Sequence, residues 1–406
     1  MWRCDPPTRV VLAALAGLGA AAFGMPLAAL AVAIPMGPRV PVALTASAAA
    51  WWGSKQVEEL RHRALPAGPV TTVVVVTEPP SGDRAMARVP AAGEDVLLVS
   101  RAIRPELGGV YAVKGYLAEP SAQVRDYYAT QGVHLELQAE ELRLTGRRGG
   151  AWGVVDRLHA VALQGLGADR DPTPARALVA GVTLGETGAL PGEVKQQFRD
   201  SGLYHIVAVS GQNVALVVLF TLVCLAVMGV IGPPARITAI CLTVAYVLVT
   251  GAGPSIVRAG VAGVLTCVAW LASRPVARWH LLVCGGVLVL ALNPLDLFAP
   301  GFQMSFAAVA AIFLVAPRLR GWVGQATAIS IACSVATAPI SWWHFQQIAP
   351  LSVPANLLAL PAVAPLLVSG LASILLGTIW EPLAAPPLAL ADMLAGYLLW
   401  VAELCS

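Results

Sequence analysis

The chain has 406 residues, 57% of them hydrophobic and only 12% charged, and its mean hydropathy is +0.72. Soluble domains carry about 25% charged residues, so the composition excludes an ordinary soluble protein and implies a polytopic membrane protein. The formal net charge of +3 points to no particular partner.

The charge deficit is uneven. No lysine follows Lys195, and from residue 203 onward the only acids are Asp296, Glu381, Asp392 and Glu403. A polar domain therefore sits between two apolar regions. Cys224, Cys241, Cys267, Cys284 and Cys333 fall in apolar segments, where cysteine acts as a small hydrophobe, and no CxxC pair suggests a disulfide framework or zinc site. The six histidines show no metal-binding spacing, so no metal is expected.

Residues 1–65 read as a membrane anchor. Arg3 and Arg9 precede an apolar run over residues 10–34, too long for a signal-peptide core of about 7–15 residues. Gly24-Met25-Pro26 would kink one helix or turn a hairpin, and residues 42–52 end in Trp51 and Trp52, which suit an interface belt. One span and two are both open.

Over residues 66–150 the period changes. Short β-branched or alternating runs at residues 70–77, 95–100, 110–118 and 133–144 are separated by Pro, Gly and Asp, as in a small all-β barrel. The module is near neutral, with 9 Lys+Arg against 10 Asp+Glu. Tyr111, Tyr116, Tyr127 and Tyr128 lie in it; they would either stack unpaired bases or cover the barrel and its membrane contact.

Residues 151–201 are connecting helices. Residues 152–166 form an amphipathic pattern suited to the membrane surface. Residues 173–183 follow, with Pro172 and Pro174 at a helix start. Pro191-Gly192-Glu193 opens a helix to Arg199, and Lys195 and Arg199 are either entrance cations or a solvated face.

Residues 198–219, FRDSGLYHIVAVSGQNVALVVL, pass from water-soluble to membrane sequence and carry His205, Ser210, Gln212 and Asn213 at the change. On a continuous helix His205, Gln212 and Asn213 share a stripe with Ser210 beside it. Polar groups at membrane depth face a protein interior or a wet cavity, so the stripe either lines a polar path or seals a bundle by mutual hydrogen bonds. Eight apolar runs follow from residue 203, several shorter than the ~20 residues of a full span, so some are expected to be tilted, broken or half-inserted.

Arg236, Arg274 with Arg278, and Arg318 with Arg320 fall in every second connection. The positive-inside rule puts these in the cytoplasm. The alternate connections, residues 251–255, 293–301 and 342–350, lack Lys and Arg and hold the remaining polar chemistry: Ser255 ahead of Arg258, Asp296, Gln303 and Ser305, His344, and later Asn356. Arg258 would pair with Asp296 or reach a ligand phosphate.

Several of these patches resemble one family. LGETGALPGEVKQQFRDSGLYHIVAVSGQNVALV (residues 184–217), GPSIVRAG (253–260), NPLDLFAPGFQMSF (293–306) and the proline-flanked Asn356 are similar to the ComEC-type competence proteins, inner-membrane channels of bacterial DNA uptake, and RDYYATQGVHLEL (125–137) resembles the end of that family's OB-like domain. The resemblance implies a mainly α, polytopic helical bundle with an inserted OB-like barrel, residues 202–406 forming the channel domain. It also implies passage of single-stranded DNA through the lipid bilayer. Where the family commonly shows a histidine in its signature, this chain has Gln212-Asn213. With no histidine beyond His344, no C-terminal metallo-β-lactamase-like domain is expected in this sequence, and strand degradation would need another protein. There is no GxxxxGK[ST] phosphate loop, so the driving force would come from a partner ATPase or from single-strand-binding proteins inside, with a DNA receptor outside. Two other functions fit the residues: a scaffold without transport, and an intramembrane hydrolase using Ser210 with His205 or His344.

Overall fold

The computed structural model describes residues 13–16, 18, 40–61, 65–100, 103–169, 172–207, 211–251, 254–271 and 278–406. Most of the N-terminal run over residues 10–34, and with it the number of N-terminal spans, lies outside the described residues. Helix α1 (Val40–Arg61) carries Trp52, whose indole N–H donates to the Ala291 carbonyl (2.8 Å). Leu18 packs with Val289, Leu290 and Phe302.

The polar module is a closed five-stranded barrel of β1 (Gly68–Val76), β2 (Arg84–Val89), β3 (Glu94–Val99), β4 (Gly109–Ala118) and β5 (Glu136–Arg147), in the order β1-β2-β3-β5-β4. The β3–β5 pair is parallel and the others are antiparallel. Alternation fills the interior: Val74, Val76, Ala85, Ala87, Val89, Val96, Leu98, Val113, Leu117 and Leu137 are buried there. The register of β4 against β5 shifts at Lys114/Gly115, and a Cβ on Gly115 would strike the Gln138 carbonyl, so glycine is required at that bulge. Closure removes every open edge from this OB-like barrel. Strand β2 was not expected from the sequence, nor was helix α2 (Ala122–Ala129), which crosses between β4 and β5.

The helices after the barrel are α3 (Gly150–Gly165), α4 (Pro174–Leu184), α5 (Gly192–Asp200), α6 (Tyr204–Val207), α7 (Gly211–Val227), α8 (Pro233–Val249), α9 (Pro254–Leu271), α10 (Arg278–Leu292), α11 (Pro300–Leu314), α12 (Ala316–Val323), α13 (Gln325–Phe345), α14 (Ser352–Ile379) and α15 (Glu381–Leu404). Among the described residues three helices, α13, α14 and α15, are long and apolar enough to cross a membrane. There are four if α11 and α12, bent by 61° at their junction, are one broken span. Helix α8, with described residues at both ends, has 17 residues, about 26 Å at 1.5 Å per residue, so one expected short segment is present. The chain is a mainly α membrane protein with a small barrel.

Helix α4 is the buried centre of one half. Pro174 occupies its first turn, the Thr173 hydroxyl accepts from the Arg176 N–H (3.3 Å), and every residue from Ala177 to Leu184 is buried. It packs on the antiparallel α14–α15 hairpin, which is tied by Ser373 Oγ donating to the Ala384 carbonyl (3.2 Å) and Tyr397 donating to the Leu358 carbonyl (3.0 Å). Arg176 Nε reaches both Asp392 oxygens at 3.2 and 3.1 Å, one of the few ion pairs in the apolar half.

Candidate functional site

The barrel is seated on the bundle where arginine-free connections emerge. Pro79, after β1, lies against Gly251, and the Pro80 carbonyl lies against Gly188. The Thr130 carbonyl accepts from Asn293 Nδ2 (2.8 Å). Asn293 also caps the 3₁₀ turn Pro294–Phe298, its Oδ1 accepting from the Leu295 N–H (3.0 Å), and lies 3.3 Å from Oδ1 of the buried Asp296. One short side chain thus fixes the loop and fastens it to the barrel. Where β5 ends, Arg148 clamps the Asp156 carboxylate of α3 with two bonds (2.6 and 2.9 Å) and stacks over Trp152 (5.2 Å).

Between barrel and bundle lies a cavity of about 620 Å³, lined by Glu78, Arg88, Gln131, Trp152, Asn293 and Asp296 among others. That volume falls in the range of ordinary ligand sites. Its cations are internally paired: Arg88 holds Asp95 in a two-bond fork (2.7 and 2.8 Å) and Arg148 holds Asp156. Burial and the nearby Asp95 charge push the Glu78 carboxyl up to about 7.

A second set of contacts joins the other connections. His344 Nε2, in the last turn of α13, donates to Gln303 Oε1 in the first turn of α11 (3.0 Å), and Gln303 Nε2 donates to the Leu297 carbonyl (3.0 Å). Gly202, at a φ of +75°, abuts Ala349 and Ser352 so closely that a Cβ would stand 2.7 Å from Ser352 Cβ. Ser352 Oγ meets Ser334 Oγ (3.2 Å), and its carbonyl accepts from Asn356 Nδ2 (2.7 Å). Asn293 with Asp296, Gln303 with His344, and Asn356 with the Gly202 turn are therefore three local clusters.

Other expectations fail. The continuity of the stripe from His205 to Asn213 turns on residues 208–210, which lie outside the described residues between α6 and α7. His205 is exposed, its Nδ1 donating to the Gly202 carbonyl (3.1 Å), and Gln212 is exposed, whereas Asn213 is 1% exposed. Asn213 does not line an open path. Its Nδ2 donates to the Val182 carbonyl (2.8 Å) while Tyr246 donates to the Thr183 carbonyl (2.9 Å). The last carbonyls of a helix lack partners within it, and in a buried bundle side chains must supply them. Asn213 and Tyr246 thus close the C-terminus of α4.

Tyr111 cannot stack a base either. It is 2% exposed in the barrel core, where its hydroxyl accepts the Glu106 N–H (2.9 Å). Tyr116 and Tyr127 are half-exposed, and Tyr127 and Tyr128 meet edge-to-face on α2, 5.2 Å apart. Lys195 is half-buried, and Arg199 lies over the Tyr204 ring at 4.9 Å. Ser305 is exposed. Ser210, the Ser255 side chain and the expected Arg258–Asp296 pair lie outside what is described.

Three residues were not singled out from the sequence: Arg104 on the barrel, Glu186 after α4, and His159 on α3. His159 Nδ1 donates to the Val249 carbonyl (2.6 Å), leaving Nε2 buried without a hydrogen-bond partner, 3.9 Å from Glu186 Oε2. Burial pushes Glu186 up to about 7, against the Gly188 N–H and the Arg104 and Lys195 charges. No local pattern signals these contacts, since His159 and Val249 are 90 positions apart.

Residues 182–406 match the family described as competence protein. ComE operon protein 3 of Bacillus subtilis (strain 168) is 28% identical over 193 residues, 47% of this chain and 25% of that protein. The uncharacterized protein YcaI of Escherichia coli (strain K12) is 28% identical over 225 residues, 51% of this chain and 30% of that protein. The chain thus covers less than a third of either relative's length. No solved structure gives a significant match.

Proposed function

Because the chain belongs to the competence protein family, we propose that it conducts single-stranded DNA across the cytoplasmic membrane during DNA uptake. The barrel receives the strand on the outer face and the helical bundle passes it inward. The observation that carries this reading is the seat of the barrel on the arginine-free connections, with the 620 Å³ cavity between them. The arginine-bearing connections are read as cytoplasmic, which puts the barrel outside.

The chemistry suits a conduit. A channel must bind weakly enough to release. The membrane half has no lysine to trap phosphates, and the cavity arginines are neutralised by their own carboxylates. Cations not so paired, Lys195 and Arg199, stand at the entrance, where they raise the local concentration of an anionic strand. His205 and Gln212, both exposed, and the Gln303–His344 pair offer hydrogen bonds along the way. Tyr116 and Tyr127 offer ring faces to bases. No chemical step is assigned to the chain. A receptor outside delivers the DNA, and an ATPase or single-strand-binding proteins inside draw it through.

The test is uptake of labelled DNA by cells carrying His205→Ala, Gln212→Ala or Arg258→Ala at matched protein levels. Uptake falls while surface-bound DNA is unchanged. Normal uptake in all three removes the site. Cysteines placed at residues 251–255 are labelled from outside and those at 274–278 are not; the opposite pattern reverses the orientation.

A further inference from the structure

Where the barrel meets α5, cations outnumber their partners. Arg104 from the barrel and Lys195 and Arg199 from α5 converge closely enough that Arg104 and Arg199 both disfavour the charge on Lys195, after burial itself. Among the described residues none of the three is in an ion pair. Beneath them lies one buried acid. A Cβ added to Gly188 would meet Glu186 Oε1 at 2.8 Å and Arg104 Nη2 at 3.2 Å, so carboxylate and guanidinium flank the same point. Glu186 Oε1 accepts from the Gly188 N–H (3.3 Å).

We propose that Arg104, Lys195 and Arg199 form a phosphodiester-binding site at the barrel–bundle seam, and that Glu186 is its latch, a carboxylate competing with the phosphate for the same cations. The site rests on the conduit reading and adds to it the point where the strand backbone is first gripped and the group that releases it. Three uncompensated cations repel one another and gain by sharing an anion. When Glu186 is ionised it supplies that anion from within, and the strand is released; when it is protonated the cations are free for phosphate.

The groups facing Glu186 are His159 from α3, Arg104 from the barrel, Lys195 from α5 and the Gly188 N–H. Burial pushes the His159 imidazole below its ordinary value, so it stays neutral near and above pH 7. Glu186 titrates at about 7, so the seam gains one net positive charge on acidification through neutrality.

The experiment measures binding of a fluorescent oligothymidylate to the full chain in phosphatidylcholine nanodiscs, against salt and pH. For single strands each phosphate contact contributes about 0.7 to the slope of log affinity against log salt, or about 8-fold in affinity between about 1 M and 0.05 M. Arg104→Gln, Lys195→Gln and Arg199→Gln each lower the slope by about 0.7, whereas Arg320→Gln, an exposed cation on α12, does not. Wild type binds tighter at about pH 6 than at about pH 8, by an amount comparable to one contact, or up to about 8-fold at low salt. Glu186→Gln binds at both pH values as wild type does at the lower one. That gain of affinity cannot come from misfolding, and it separates Glu186 from Lys195, which remains.

Wild-type slopes in all three cation variants overturn the site and leave the conduit standing. An unchanged pH response in Glu186→Gln overturns the latch. If wild type binds no strand at low salt, both the site and the conduit reading fall. If phosphatidylglycerol in the nanodisc displaces the strand from wild type, and the cation variants lose their preference for that lipid, the ligand is a lipid headgroup and the proposal is overturned.

Discussion

Replacing Gly251 by alanine tests the seating of the barrel on the bundle. Gly251 has a φ of +89°, and a Cβ there would strike Pro79 of the barrel. Two costs add. A left-handed backbone costs a non-glycine residue about 1–2 kcal/mol, and forcing extra atoms into a packed contact costs about 1–3 kcal/mol. Gly229 separates them, because it has a φ of +80° with nothing within 4 Å of a Cβ. Gly229→Ala therefore loses about 1–2 kcal/mol, and Gly251→Ala loses about 1–3 kcal/mol more unless the barrel retreats. Retreat is visible as faster hydrogen exchange at the Gly188 amide, which is bonded to Glu186 in its own loop and covered by the Pro80 carbonyl of the barrel. Thermal unfolding in detergent and amide exchange are measured for both variants. Equal unfolding and equal exchange in the two would refute the seating of the barrel on Gly251.

Asn213→Leu and Tyr246→Phe each strand a buried carbonyl of α4 and lower stability by about 1–3 kcal/mol in denaturation, whereas exposed Gln212→Leu leaves it unchanged. Tyr111→Phe costs the barrel about 1 kcal/mol and leaves strand binding alone, because its hydroxyl serves only the Glu106 N–H among the described contacts. Tyr116→Ala weakens oligothymidylate binding by about 1–3 kcal/mol without loss of stability, read by titration. Glu78 and Glu186 both have folded values raised from 4.5 to about 7. Their contribution to stability is complete below about pH 4.5 and is lost as pH rises through about 7. Glu78→Gln and Glu186→Gln therefore raise the melting temperature above neutrality and change little in acid, and a melting profile matching wild type at alkaline pH would contradict this.

The barrel was legible where strands alternate and are β-branched, as in β1 and β4. Strand β2, Arg84–Val89, was not: it places arginines outward and small residues inward, and forms because β1 and β3 pair on either side of it. Helix α2 escaped because Tyr127 and Tyr128 read as barrel residues, while the chain needs a crossing from β4 to β5 there. The short helix α8 was legible from apolar length alone. The site was less so. Asn213 looks like a channel residue because polar groups are rare in apolar sequence, but it bonds the buried C-terminal end of a helix 31 positions upstream. The same limit hid Glu186, whose neighbours come from the barrel, α3 and α5, and Arg176–Asp392, whose members are 216 positions apart. Local pattern reports that a polar group is present; the fold decides whether it faces a ligand or a backbone.

The central claim is that a single strand passes through the seam between barrel and bundle. Photocrosslinking during uptake of labelled DNA tests it most directly, with a photoreactive side chain placed at Gln131 or Trp152 in the cavity and, as control, at half-buried Tyr397 on α15, which is not among the cavity-lining residues. The account predicts that the strand is captured from both cavity positions only while transport proceeds, and not from Tyr397. Capture absent at both cavity positions in cells that take up DNA normally would contradict it.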